Sequence, residues 1–295
     1  MGIFDLITIP LGYLFKGIYF IVGNYGWALV LFTIITKLIL TPLSIKQQKS
    51  TRQMQKIQPK LQELQKKYQY DKEKLNQETL KLYKDNNVSP AGGCLPLLIQ
   101  FPVLIALYSI IRSPLTYIIQ LGKHGLPTIE QVHTALTELG SNVVISDQIQ
   151  IAAEMNKFKT ELLAQFSNLS FIDFNFYGLN LSIVPKEDLK SIIILIPILA
   201  GLTTYLLSKL TSPAPSGQGQ ADSAQNSMQM MTYMFPIMTL VFSISLPAGL
   251  GFYWIASNLY QMAQHVILPK FIKEEEVPEE KKEHYREREN RRKKK

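Results

Sequence analysis

A lysine inside an apolar stretch is the residue of this sequence with the clearest capacity for chemistry. Lys37 lies nine residues before Lys46, the next charged side chain, and that spacing corresponds to about 13 Å of helix. A charge inside a bilayer costs at least about 2.5 kcal/mol unless it meets water or a partner, and the spans predicted below contain no Asp or Glu. We therefore expect Lys37 to face a water-filled cavity. The alternative is a span at 17–36 with Lys37 at the interface, which leaves the apolar run 38–43 in the cytosol.

Other polar side chains recur at helical spacing in the apolar stretches. One stripe surrounds Lys37 and another lies near the end of the apolar sequence, and both follow the three- and four-residue spacing of one helix face. Such stripes line a polar groove or form hydrogen bonds between helices. Both roles stay open for Gln100, groove lining is favoured for Asn258 and Gln261, and His265 is placed at the interface. The first stripe comprises Thr33, Lys37, Thr41 and Ser44, and the second comprises Trp254, Asn258, Gln261 and His265.

The charged residues are segregated along the chain, and this segregation indicates the class of protein. The 295-residue chain is 46% hydrophobic with a net charge of +8, yet residues 86–111 and 223–269 contain no Lys, Arg, Asp or Glu. A helix that crosses the bilayer core needs about 20 apolar residues. The sequence therefore predicts an all-α integral membrane protein with a core of five transmembrane helices and a cytoplasmic helical hairpin.

The five spans are separated by segments of contrasting composition. Pro247, Gly249 and Gly251 predict a tight turn between the last two spans. The predicted spans are 26–45, 92–112, 190–208, 230–246 and 249–268. The segments between and around them are an interfacial amphipathic helix at 1–25, the hairpin at 46–91, an external segment at 113–189, a flexible loop at 209–229 and a charged tail at 270–295.

The charges of the loops predict the orientation. Residues 46–90 carry 11 basic and 5 acidic side chains, whereas residues 112–189 carry 5 and 8, and the tail carries 11 basic residues. Cytoplasmic loops hold the excess of Lys and Arg. The N-terminus is therefore predicted outside and the C-terminus inside, as five crossings require. An N-terminal span would give six crossings, so we expect residues 3–23 to lie in the outer interface, although this stretch is apolar enough for a span.

The hairpin and the external segment are predicted to be helical. Apolar residues at alternating three- and four-residue spacing predict a helix at 44–68, and Asp71 can cap a second helix at about 72–85. The hairpin is either a solvated spacer or a docking surface for a partner. In the external segment we expect two amphipathic helices, at 129–139 and 148–169, to rest on the outer leaflet, with the aromatic run 171–177 in the membrane interface rather than in a strand.

Several stretches resemble the YidC family of membrane protein insertases. They are TKLILTPLSIKQQKS at 36–50, QPKLQELQKKY at 58–68, NQETLKLYKDNNVSPAGGCLPLLIQFPVLIALY at 76–108 and PAGLGFYWIASNLYQMAQ at 247–264. The GGCLPLLIQFP and YW-x-x-SN runs are specific enough that a chance match is improbable. Together with the order of the spans, the resemblance covers nearly the whole chain.

The resemblance implies a substrate-binding groove that is open to cytoplasm and lipid and closed outside. The family arginine of the first core span corresponds to Lys37, the threonine one turn earlier to Thr33, and an aromatic pair to Tyr253 and Trp254. Lysine keeps the charge of arginine and loses its bidentate fork. The absence of a large periplasmic domain makes the chain similar to the short Gram-positive form, in the plasma (inner) membrane of a bacterium.

The expected activity is the insertion of nascent membrane proteins without covalent catalysis and without a cofactor. A solute transporter is the main alternative, but that class shows internal repeats and intramembrane acids, which we do not find in this sequence. A membrane enzyme is a further alternative, but the predicted spans of this sequence contain no paired nucleophile and base. The single cysteine, Cys94, excludes an internal disulfide. Expected partners are nascent clients, the ribosome through the basic tail, membrane lipids and, as a further candidate, the SecYEG translocon.

Overall fold

Helices make up most of the residues that the structure describes. The structure is a computed structural model that describes residues 5–86, 95–211 and 223–271. Its helices are α1 (Asp5–Val22), α2 (Tyr25–Ile39), α3 (Thr41–Lys67), α4 (Lys72–Asp85), α5 (Leu95–Arg112), α6 (Ile129–Glu138), α7 (Gln148–Lys157), α8 (Lys159–Gln165), α9 (Leu195–Thr211), α10 (Ser223–Ser245) and α11 (Ala248–Phe271). A π-helical turn at Leu115–Ile119, two 3-10 turns at Pro185–Glu187 and Ile192–Ile194, and the antiparallel strands β1 (Asn175–Phe176) and β2 (Leu179–Asn180) complete the described elements.

Within the described residues, two helices are long and apolar enough to cross a membrane. They are Asp5–Val22 and Ile192–Thr211, and the bent pair Tyr25–Ile39 plus Thr41–Lys67 is a third candidate. Phe101–Arg112 and Thr232–Ser245 are shorter apolar helices. The structure is mostly helical, in agreement with the predicted class, and contains one short strand pair, whereas the five crossings stay a prediction. The interfacial position of residues 1–25 also stays a prediction, because α1 meets the length and hydropathy criteria for a span.

A sharp bend interrupts the first predicted span. Helix α2 ends at Ile39, Leu40 separates it from α3, and the two axes differ by 64°. Pro42 in the first turn of α3 explains the bend, because proline donates no backbone hydrogen bond and its ring clashes with the carbonyl four residues earlier. The predicted span 26–45 is therefore not one straight helix, and the predicted stripe does not stay on one face.

Helix α1 packs into the protein. Its contacts are with α2, α5 and the π-helical turn. The buried ring of Phe15 lies 5.6 Å from the ring of Tyr25 and 5.5 Å from that of Phe32. Aromatic pairs at these centroid separations stabilise a core beyond the area they bury. The N-terminal helix is thus part of the core that positions α2.

The external segment folds against the same core. A capping box of Thr128 and Gln131 begins α6, and the Asp147 side chain caps α7. The apolar faces of these helices are buried, including Leu136 and Ile151 at 0% exposure. The expectation that they rest on the outer leaflet is therefore wrong, because the protein itself covers their apolar faces.

Two further predictions for the external segment need correction. The predicted helix at 148–169 is divided at Phe158, where the backbone leaves the helical region, and it ends at Gln165. The aromatic run at 171–177 enters a strand pair, with Asn175 opposite Asn180 and Phe176 opposite Leu179. Pairing with a nearby strand satisfies backbone groups that an isolated strand would leave open.

The hairpin helices end close to their predicted bounds. Helix α4 begins after Asp71, whose side chain accepts a hydrogen bond of 3.0 Å from the backbone N–H of Lys74. Helices α3 and α4 are in contact, and Ile57 is the buried residue of α3. The cytoplasmic position of this hairpin stays a prediction. The predicted tail at 270–295 lies almost wholly outside the described residues. Of the flexible loop predicted at 209–229, residues 212–222 lie outside them, whereas 209–211 belong to α9 and 223–229 to α10, so these ends are helical.

Candidate functional site

Lys37 lies on a buried polar face of α2. Its side chain is 7% exposed, and Thr33 and Thr36 beside it are 0% and 7% exposed. The opposite face carries exposed apolar residues at helical spacing, among them Ile34 and Leu38. A helix with its polar residues inside and its apolar residues outside is arranged for a membrane environment, where ionisable groups face the interior of a bundle or a water-filled cavity.

The threonines of α2 bond back to their own helix. The Thr33 hydroxyl donates to the carbonyl of Leu29 at 2.7 Å, and the Thr36 hydroxyl donates to the carbonyl of Phe32 at 2.7 Å. A hydroxyl that donates in this way keeps oxygen lone pairs with which it can accept. Both threonines therefore present acceptor oxygens on the face that carries the Lys37 ammonium group.

The bend after α2 redirects the rest of the predicted stripe. Thr41 lies on α3, and its hydroxyl donates to the carbonyl of Lys37 at 2.9 Å. The Gln264 amide of α11 donates to the Thr41 hydroxyl oxygen at 3.4 Å. Thr41 thus joins the bend to α11, while Ser44 donates to the carbonyl of Leu40 at 3.2 Å. The two residues support the bend rather than extend one polar face of α2.

The second predicted stripe is held between helices α9 and α11. Asn258 is 5% exposed, and its amide nitrogen donates to the hydroxyl oxygens of Thr203 at 3.0 Å and Thr204 at 2.8 Å. Gln261 donates within its own helix, to the carbonyl of Ser257 at 3.3 Å and to the Ser257 hydroxyl at 3.2 Å. The structure therefore gives Asn258 the interhelical hydrogen bonds that were one of its two predicted roles.

The threonine pair of α9 is a contribution that the sequence interpretation missed. Thr203 and Thr204 are 8% and 3% exposed. Two adjacent hydroxyl residues in an otherwise apolar span are the signal that could have indicated a polar partner on another helix. Because α11 packs against both α2 and α9, it lies beside two buried polar sets, one around Lys37 and one around Asn258.

The remaining predicted residues fall into three groups. Tyr253 is buried at 2% exposure and Trp254 is half-buried, both on α11. His265 is half-buried on the same helix. Gln100 belongs to α5, but its side chain lies outside the described part of the chain. The assignment of Lys37, Thr33, Gln100, Tyr253, Trp254, Asn258 and Gln261 to substrate binding stays a prediction.

The buried lysine limits what the arrangement can do chemically. An ammonium group in a low-dielectric interior attracts a carboxylate more strongly than it does in water. The hydroxyls of Thr33 and Thr36 on the same face of α2 can orient a polar ligand by hydrogen bonds. The arrangement suits transient binding of an acidic or polar segment.

Comparison with known proteins places the chain in a family. A sequence model described as the 60Kd inner membrane protein matches residues 17–276. The membrane protein insertase YidC of Fusobacterium nucleatum is 31% identical over 249 residues, which cover 84% of this chain and 88% of that protein. The membrane protein insertase YidC of Caldanaerobacter subterraneus subsp. tengcongensis is 31% identical over 267 residues, covering 90% and 96%.

Some relatives are longer, and this chain matches only part of their length. The membrane protein insertase YidC of Nitratidesulfovibrio vulgaris strain Miyazaki F is 33% identical over 264 residues, which are 90% of this chain and 38% of that protein. A crystal structure titled as an active YidC insertase with its first transmembrane domain resolved matches with a TM-score of 0.52 and 25% identity, over 89% of this chain and 46% of that one. The expected resemblance is thereby confirmed: the chain belongs to the 60Kd inner membrane protein family, that of the YidC membrane protein insertases.

Proposed function

We propose that this protein inserts other proteins into the membrane by binding, without covalent chemistry. Relatives named as insertases, matched over most of their length, support membrane protein insertion as the activity. The observation that carries the mechanism is the burial of Lys37, at 7% exposure, on the polar face of α2. In the proposed mechanism a hydrophilic groove beside α2 is open to the cytoplasm and holds this positive charge.

Two surfaces of the protein contact the client in this mechanism. The short polar tail of a client, often acidic, is held transiently near Lys37 and then released to the outside. Its hydrophobic segment slides along α5 and α10, the second and fourth predicted spans. Exposed apolar side chains on these helices support that part, since Phe101 is 58% exposed and Ile237 is 64% exposed. Transfer of the segment into lipid is driven by burial of its own apolar surface.

The lysine suits a mechanism that needs a positive field. Lysine presents a compact charge on a flexible stem, whereas arginine presents a fixed fork that pairs with carboxylates in two bonds. A field that attracts a passing carboxylate needs the charge and not the fork. The proposed role of Lys37 is therefore electrostatic attraction and not recognition of one geometry.

The proposed setting is the plasma membrane of a bacterium. Bacterial relatives and apolar helices support a place in the cell membrane. The excess of basic residues in 46–90 and in the tail supports a cytoplasmic hairpin and C-terminus. In this topology the external segment and the N-terminus lie outside.

The proposed partners follow from this setting. Nascent membrane proteins are the clients, and the hairpin at 46–91 is a surface for their capture. The basic residues at 291–295 are proposed to bind ribosomal RNA, whose phosphates release counterions when Lys and Arg contact them. Anionic lipids are the competing partner of this tail, and the SecYEG translocon is a further candidate partner.

The test compares insertion with transport. Purified protein in vesicles is given a single-span test protein with a short acidic N-terminal tail, and tail translocation is measured by protection from an added protease. The same vesicles are assayed for solute uptake. We expect protected tails that depend on the protein and no uptake above empty vesicles. Uptake without insertion would establish the transporter alternative instead.

A further inference from the structure

A segment between the external helices and α9 joins the N-terminal ends of two core helices. Residues 173–183, which we call the strap, contain β1, β2 and the turn between them. On one side, the backbone N–H of Tyr25, the first residue of α2, donates to the carbonyl of Asp173 at 3.2 Å. On the other side, the N–H groups of Ala248 and Gly249 at the start of α11 donate to the carbonyls of Ile183 at 2.8 Å and Leu181 at 2.9 Å.

These bonds satisfy groups that a helix leaves open. The first N–H groups of a helix have no acceptor within the helix itself, and strap carbonyls accept from such groups on both α2 and α11. The strap therefore acts as a shared cap across the point where the two helices begin. Moving the beginnings of α2 and α11 apart requires the loss of strap hydrogen bonds on at least one side.

An aromatic side chain fills the space between the two helices. The Phe176 ring lies 5.6 Å from the Trp27 ring of α2 and 4.9 Å from the Phe252 ring of α11. It packs directly on Gly26, where an added Cβ would overlap the ring. A side chain larger than hydrogen at that position would prevent this packing. Phe176 thus closes the junction of α2 and α11 at the end where both begin.

The two sides of the strap are attached unequally. The α1–α2 side adds side-chain bonds to the backbone bond of Tyr25. The Asn24 amide donates to the carbonyl of Asn175 at 2.9 Å, and the Tyr19 hydroxyl, which donates to the carbonyl of Phe171 at 3.2 Å, accepts from the N–H of Asp173 at 3.0 Å. The α11 side has two backbone bonds and the Phe252 contact. Release from α11 breaks fewer interactions than release from α2.

We propose that the strap is a displaceable closure of the path beside Lys37, which releases α11 while it stays attached to α2. This inference rests on the proposed function, because a client tail held near Lys37 between α2 and α11 has to pass the end where both helices begin. In the resting protein the strap seals that end. During translocation the hydrogen bonds to Ala248 and Gly249 open, and they form again when the tail has passed.

Two matched cross-links test which side opens. Both are built in a Cys94→Ser chain, so that only the engineered pair can form a disulfide. The α11 lock is Ile183→Cys with Ala248→Cys, and the α2 lock is Asn24→Cys with Asn175→Cys. Each pair replaces residues whose groups already share a hydrogen bond. Formation of each cross-link is measured directly by gel mobility.

The readout is protease protection of the acidic tail of the single-span test protein in proteoliposomes. We expect the oxidised α11 lock to reduce protection to that of vesicles without the protein, and reduction to restore it. The oxidised α2 lock should protect as well as its reduced form. Full protection with the oxidised α11 lock, or equal block by both locks, would overturn the proposal. Failure of the unmodified chain to insert the test protein would instead refute the proposed function.

Hydrogen exchange provides a second measurement that needs no substitution. The amides of Ala248 and Gly249 donate to the strap, so their exchange reports strap attachment directly. The unmodified protein in nanodiscs is compared with and without the bound test protein. We expect faster exchange in a peptide covering 246–252 with the test protein bound, and unchanged exchange in one covering 24–28. Unchanged exchange at 246–252 would contradict release from α11, even if the cysteine variants fail to fold.

Discussion

Replacement of Lys37 should separate the function of the protein from its stability. Lys37→Met keeps an unbranched side chain of similar length and removes the charge. We expect this variant, and Lys37→Ala, to insert clients with acidic tails poorly. Lys37→Glu should be worse because it repels the carboxylate that the lysine attracts, and Lys37→Arg should remain active because it keeps the charge.

The burial of Lys37 allows an estimate of the effect. At an effective dielectric constant of about 20, a carboxylate about 4 Å from an ammonium group gains about 4 kcal/mol. Desolvation of the carboxylate offsets part of that gain, so we expect a loss of about 1–2 kcal/mol for Lys37→Met, which is about five- to thirtyfold in insertion efficiency. The side chain is only 7% exposed, so screening by salt should be weak.

The stability of Lys37→Met should rise or stay unchanged, although its insertion activity falls. A charge inside a membrane helix is costly, and replacing it with an apolar side chain removes that cost. We therefore expect the thermal midpoint of Lys37→Met in detergent to be no lower than that of the unmodified protein. Lower activity at equal or higher stability is typical of a functional residue.

The assay compares two clients and two lysines. Matched single-span clients, one with an acidic tail and one with a neutral tail, are inserted into vesicles that contain each variant. Lys123→Met is the control, because Lys123 is exposed in the external segment and the substitution is chemically the same. We expect that only the pairing of Lys37→Met with the acidic tail shows the loss. Wild-type insertion of the acidic client by Lys37→Glu protein, present in the membrane at a normal amount, would refute the reasoning.

Four further changes test other parts of the molecule. Deletion of 56–84 should abolish client co-purification while leaving the thermal midpoint of the bundle nearly unchanged; capture at the normal level would make the hairpin a spacer. Removal of 281–295 should eliminate salt-dependent cosedimentation with ribosomes, and equal binding by the shortened protein would end that proposal. Asn258→Ala breaks two hydrogen bonds to the threonines of α9 and should destabilise the protein by about 1 kcal/mol, measured as a lower thermal midpoint. Gly26→Ala should lower the midpoint by displacing Phe176, and the added change Phe176→Ala should reduce that effect; additive losses would contradict the contact.

The sequence by itself determined the class of the protein and the elements with strong local signals. Charge-free stretches predict membrane helices because the cost of a charge in lipid is large compared with helix propensity. Asp71 marks the beginning of α4 because a cap depends on groups only three residues apart. The position of Lys37 inside an apolar helix was predictable for the same reason, whereas the water-filled cavity expected beside it stays a prediction.

The bend after α2 could have been read from the sequence with closer attention. Pro42 lies within the stretch predicted as one span, and the local rule for proline applies wherever a helix passes through it. Helical spacing alone predicted that Thr41 and Ser44 lie on the same helix face as Lys37. The bend redirects both residues, because spacing predicts a shared face only while the helix continues.

Only the tertiary structure decided which groups meet across the chain. The bonds from Asn258 to Thr203 and Thr204 join residues more than fifty positions apart, and the strap bonds to α2 and α11 across still longer separations. The sequence interpretation placed the apolar faces of α6 and α7 on lipid. Periodicity shows that a helix face is apolar, but it does not show whether lipid or protein covers that face. Local spacing fixes which side of a helix is polar, whereas packing of distant segments fixes its partner.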